Sequence, residues 1–233
     1  MIRELREACS KHQYEPLGVR FFRLFSIYPT ALFIKLRLAP NFISLLAITG
    51  AITGGVLLIF GSHHCLIIGA VVLMLSFMLD CSDGEVARYT GKLTPYGNYL
   101  EGIYTHILFI AILAGLGIGT YRLSGNMMML WFGISALCFN VLFRQCELRM
   151  GWVLELIKER PRYSPLAVNR ASPVYKIVLN TIHRLTFSAD GMLFLLLLFA
   201  IINKTVLLVM FYGAIMPSMF LAYNFFSWFS LRR

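Results

Sequence analysis

Asp80 and Asp83 stand three residues apart, the spacing that sets two side chains on one face of a helix. Glu101 opens the next apolar segment, and Arg88 lies between. An ionised residue at the centre of a bilayer costs roughly 2.5–3.5 kcal/mol, and less near the interface. Charge kept at such a place calls for a reason. Converging carboxylates suit a hard divalent cation, Mg²⁺ or Mn²⁺, so Asp80, Asp83 and Glu101 are the expected metal ligands. A plain polar loop between two membrane helices is the competing reading. It accounts for Lys92 and Pro95, but not for the spacing of the two aspartates or the placing of Glu101.

The elements that must position these residues are apolar helices. Of 233 residues, 58% are hydrophobic and 14% charged, with a mean hydropathy of +0.73. A soluble domain is nearer 45–50% apolar and 25% charged. The expected architecture is an all-α, polytopic membrane protein forming a single domain over 1–233. Segments 41–60, 65–83, 99–119, 126–144, 185–202 and 205–229 are each long enough to cross a bilayer. They predict a bundle of six transmembrane helices over 41–229, interrupted by one long polar loop at 145–184. Residues 1–40 form a juxtamembrane segment. Within it, Leu5, Phe21, Phe22, Leu24 and Phe25 alternate with Arg3, Arg6, Arg20 and Arg23, as in an interfacial amphipathic helix. The same forty residues lack the clean apolar stretch of a cleavable signal peptide.

Basic residues set the orientation. Seven Lys and Arg lie in the first 40 residues, two in 84–98, eight in 144–184 and two at the C-terminus, leaving Arg122 and Lys204 for the opposite side. Both termini are therefore expected in the cytoplasm, and so are Asp80, Asp83 and Glu101. The formal charge of +10 fits contact with anionic lipid better than nucleic acid in so apolar a chain. Five cysteines with no CxxC pair read as free thiols rather than a disulfide frame or zinc site.

The run Asp80-Cys-Ser-Asp83-Gly84-Glu-Val-Ala87-Arg88, followed after eight residues by Gly97 and then Glu101, resembles the signature of the CDP-alcohol phosphotransferases. That family's pattern is Asp-x2-Asp-Gly-x2-Ala-Arg-x8-Gly-x3-Asp-x3-Asp. Every spacing is kept across 80–105, but the third Asp is Glu101 and the fourth is Thr105. The resemblance implies an integral membrane transferase of phospholipid synthesis. Divalent metal on Asp80, Asp83 and Glu101 would hold the pyrophosphate of a CDP-linked donor. A hydroxyl of the acceptor would displace CMP, a reaction governed by positioning and charge neutralisation. Asp80, Gly84, Ala87, Arg88 and Gly97 would line the CMP site, with Arg88 pairing a phosphate or bracing a carboxylate. A homodimer is implied as well. CDP-diacylglycerol or a related CDP-linked lipid is the expected donor.

In the family the fourth Asp is the proposed base, a role Thr105 fills poorly. Glu101 and His106 are alternatives, as are Glu85, Asp190 and a phosphate oxygen of the acceptor. His106 carries an imidazole, the side chain most often used as a general base, but lies about 140° from the Glu101 face at 3.6 residues per turn. Arg144 and Arg184 are candidates for holding a substrate phosphate. Thr105 also admits a second reading, a degenerate member that binds nucleotide or serves a structural role without turnover. A transporter using its carboxylates for ions is a third, which the intact Asp-Gly-x2-Ala-Arg block disfavours.

Overall fold

The computed structural model describes residues 17–156 and 187–231, and every described element is helical. In chain order these are α1 (Leu17–Lys35), α2 (Pro40–Ile59), α3 (His63–Thr90), α4 (Pro95–Ser124), α5 (Met127–Leu156), α6 (Ala189–Ile201) and α7 (Thr205–Leu231). Among the described residues, α2, α3, α4, α5 and α7 are long and apolar enough to cross a membrane. The fifth expected span, 185–202, is described only as α6, an apolar helix of 13 residues, about 20 Å at 1.5 Å per residue. Most of the expected loop 145–184, with Arg184, lies outside the described residues; its first part, to Leu156, continues α5.

The spans run longer than their apolar cores predict. Hydropathy marked 65–83, yet α3 continues to Thr90, so the whole Asp80–Arg88 run is helix rather than loop. Gly91 stops it. Its φ of 67° is a left-handed conformation that only glycine adopts freely, and Lys92 N–H then bonds back to Ala87 O at 2.9 Å. Three residues later Thr94 caps α4, accepting from Gly97 N–H at 3.1 Å, with Pro95 in the first turn.

One contiguous core joins the helices, including Leu58, Leu66, Leu73, Leu108, Ile112 and Leu196. Lipid is as apolar as leucine, so close packing of small residues, not water exclusion, holds such helices together. At the α4–α5 crossing a Cβ on Gly133 would stand 2.4 Å from Gly117 Cα. Gly133→Leu is therefore expected to force these helices apart and destabilise the bundle by about 1–3 kcal/mol or more. A thermal-unfolding midpoint in detergent unchanged from wild type would contradict that contact.

Arg3, Leu5 and Arg6 of the expected amphipathic helix lie outside the described residues, but α1 is more than a surface feature. Phe22, Ser26, Ile27, Thr30 and Ala31 of α1 are buried, while Phe21, Leu24, Phe25, Tyr28 and Leu32 are exposed. The buried face packs on α3 and touches α6. Phe22 meets Phe77 with ring centroids 4.8 Å apart, and Phe21 meets Phe194 at 5.3 Å.

Candidate active site

Where α3 gives way to α4, the ends of α2, α3 and α4 enclose a cavity of about 320 Å³. From α3 come Asp83, Gly84, Ala87 and Arg88; α4 adds Gly97 and Glu101. The bare α-carbon of Gly84 leaves room for the Arg88 guanidinium, whose Nη1 would lie 3.3 Å from a Cβ there. Gly97 is similarly placed between Thr94 Oγ1 and Asn41 Oδ1, 3.3 and 3.4 Å from a Cβ. The positions without bulk thus let these polar side chains lie close against the backbone of the cavity wall.

Asp83 is 8% exposed. Ser44 Oγ of α2 donates a short hydrogen bond to its Oδ2, fixing the carboxylate from across the cavity. Beneath, Ser76 of α3 donates to Ala47 O of α2 at 2.7 Å and lies 3.3 Å from Tyr104 Oη of α4. The three helices bearing the site are therefore tied by polar contacts in an apolar interior. Ser44 and Asn41 were not singled out from the sequence. Both are polar, three residues apart in an apolar segment, which is the signal that could have found them.

Asp80 lies one turn before Asp83 and does not line the cavity. Among the described residues its Oδ1 is buried with no hydrogen-bond partner, and the charges of Asp83 and Glu101 act on it. A buried carboxylate oxygen left unmatched between two other carboxylates is the chemistry of a cation site. Among the described residues no three His, Cys, Asp or Glu side chains form a group that could hold an ion unaided. Mg²⁺ seldom asks for that; it keeps waters and substrate phosphates in its shell around one or two carboxylates. The residues present therefore fit a divalent ion that completes its shell with other oxygens.

The expected catalytic set of Glu101, Thr105 and His106 does not gather in one place. Glu101 lines the first cavity, while Thr105 and His106 line a second of about 540 Å³ between α4 and α5, with Arg144, Glu147 and Trp152. The cause is regular helix geometry. α4 is unbroken α-helix, with Thr105 Oγ1 donating to Glu101 O at 3.0 Å and His106 Nδ1 2.8 Å from Gly102 O. Arg144 sits with its guanidinium 4.2 Å from the Phe109 ring centroid and Nη2 3.5 Å from Phe187 O. The other base candidates point elsewhere. Glu85 is buried against α1, its carboxylate accepting from Ser26 and Thr30. Asp190 is buried where a Cβ on Gly18 would collide with its Oδ2.

The model of the CDP-alcohol phosphatidyltransferase family matches residues 37–216, which takes in α2 to α6 and the cavity between the first three of these. The chain belongs to that family. No curated protein matches it. As a CDP-alcohol phosphatidyltransferase family member it is an integral membrane protein of a transferase family whose chemistry moves a phosphate group from a CDP-alcohol in lipid synthesis. That family is generally dependent on a divalent metal.

Proposed function

We propose that this protein transfers a substituted phosphate group from CDP-diacylglycerol or a related CDP-linked lipid to an acceptor hydroxyl, releasing CMP in phospholipid synthesis. One observation carries the reading: the cavity at the α3–α4 turn brings Asp83, Gly84, Ala87, Arg88, Gly97 and Glu101 of the signature together. Asp83 and Glu101, which share the cavity, would hold Mg²⁺ or Mn²⁺ with Asp80 buried one turn below, and the ion would neutralise charge on the pyrophosphate oxygens. Ser44 holds the Asp83 carboxylate in place for that task. Arg88 offers its guanidinium to a phosphate oxygen, and Gly84, Ala87 and Gly97 let the nucleotide approach the backbone. The acceptor oxygen bonds to the phosphorus bearing the alcohol, the bond from that phosphorus to CMP breaks, and the acceptor proton passes to a base. Of the protein side chains considered for that role, Glu101 shares the cavity with Asp83. Arg144, held over Phe109 beside the second cavity, would meet an anionic group of a substrate.

A mass-spectrometric assay for CMP released from CDP-diacylglycerol across a panel of hydroxyl acceptors, with and without chelator, tests the reading. Metal-dependent CMP release supports it. A second reading, a member that binds nucleotide without turnover, is favoured by one observation: Thr105 stands at the base position and its hydroxyl bonds back to Glu101 O. Binding of CDP without CMP release under any acceptor or metal would select it. A homodimer fits either.

The active site and both termini belong on the cytoplasmic side by the distribution of Lys and Arg. Single-cysteine labelling in intact cells should leave position 92 protected from an impermeant reagent and position 122 reactive. Labelling of position 92 would reverse the orientation.

A further inference from the structure

Glu85 occupies a variable position of the signature and is 1% exposed. Both its oxygens are used: Ser26 Oγ donates to one at 2.8 Å and Thr30 Oγ1 to the other at 2.7 Å. A third bond runs between the same helices, from Ser82 Oγ to Ser26 O at 3.2 Å. Ser26 and Thr30 belong to α1, which precedes the stretch matched by the family model. At 100° per residue, Glu85 projects about 200° around α3 from Asp83. The last turns of α3 are thus gripped from opposite sides, by Ser44 of α2 through Asp83 and by Ser26 and Thr30 of α1 through Glu85. A buried carboxylate is a poor device for mere adhesion, because an apolar side chain of similar size would join α1 to α3 without desolvating a charge. What it adds is direction, since two hydroxyls from one helix face meet two oxygens in a single register.

We propose that Glu85 is a positioning residue that couples the docking of α1 to nucleotide and metal binding at Asp83 and Gly84. The proposal rests on the functional reading above. With the grip closed, the turn carrying Asp83 and Gly84 is held in the register in which they line the cavity. With it open, that turn has only its α2 side fixed. Coupling between two sites is reciprocal. A ligand that favours the gripped turn must then also favour the docked state of α1.

The test measures CDP binding in the presence of Mg²⁺ by calorimetry on the full chain in nanodiscs, with amide hydrogen exchange of segment 20–32 followed alongside. Glu85→Ala leaves two hydroxyls that can bond back to their own helix, so the variant is expected to fold. It should weaken CDP binding by about 5- to 150-fold, the usual span of coupling between sites. Glu85→Gln keeps an acceptor for one hydroxyl and offers a donor to the other, and should retain most of the affinity. In wild type, CDP with Mg²⁺ should slow exchange across 20–32, and in Glu85→Ala it should not. Glu85→Ala with a lowered melting point but wild-type CDP affinity overturns the coupling and leaves a structural brace. Exchange across 20–32 that ligand does not change in wild type overturns it too, even if the variant fails to fold. Wild type that binds no CDP with Mg²⁺ overturns the functional reading, and the coupling with it.

Discussion

Asp83→Ala should abolish the CDP binding that depends on Mg²⁺, with affinity falling by more than about 100-fold. The estimate starts from the neighbour: removing a group that merely orients a metal ligand typically costs 10–100-fold. On the proposed reading Ser44 is such a group, since its hydroxyl donates to Asp83 Oδ2. Ser44→Ala should therefore fall in the 10–100-fold range, and Asp83→Ala beyond it. Calorimetry with CDP, with and without chelator, reads both. Equal affinity of wild type with and without chelator would remove the metal from the proposal, and a Ser44→Ala variant weaker than Asp83→Ala would invert the assigned roles.

The contrast between these two residues reflects how much of the site could be read from the chain. Asp83 announced itself because a carboxylate beside an apolar run is expensive, and because its spacing to Asp80, Gly84, Ala87 and Arg88 is fixed. Ser44 carries no charge, and its place in an apolar segment is compatible with any buried serine. Its role exists only because α2 packs against α3. The helices were legible for the same reason as Asp83, through long apolar runs, but their ends were not. Hydropathy reports where lipid is, whereas the helix ends where a cap or a glycine lets the backbone turn. Thus 65–83 became His63–Thr90, ended by Gly91. The separation of Glu101 from His106 followed from helical pitch alone. That Thr105 borders a different cavity from Glu101 did not, because it depends on which neighbouring helix lies against each face of α4.

Thr105→Asp is the second experiment with a large expected effect. It restores at this position the carboxylate of the family's pattern, one helical turn beyond Glu101. If the protein turns over slowly for want of a base, CMP release should rise, by up to the 10²–10⁴-fold typical of general acid–base catalysis. CDP affinity should change little, because Thr105 does not line the cavity with Asp83 and Arg88. His106→Ala should leave the rate nearly unchanged, since its ring is engaged with Gly102 O and it projects about 140° around α4 from Glu101, whereas position 105 projects about 40° from it. A collapse of CMP release in His106→Ala would instead make His106 the base and the second cavity part of the reaction path. A Thr105→Asp variant no faster than wild type would leave Glu101 as sufficient.

The cap at Thr94 has an electrical consequence. The aligned peptide dipoles of a helix amount to about half a positive charge at its N-terminus. For α4 that terminus, with Thr94, Pro95, Gly97 and Asn98, forms part of the same wall system that holds Asp83 and Glu101. Positive potential from this terminus, Arg88 and Lys92 thus stands beside the negative charge of Asp83 and Glu101 in one cavity. On the proposed reading a bare pyrophosphate would meet both attraction and repulsion there, while one travelling with its counter-ion would satisfy both. Selectivity for the ion-paired nucleotide over the free one would then be a property of the empty cavity, set before any side chain moves.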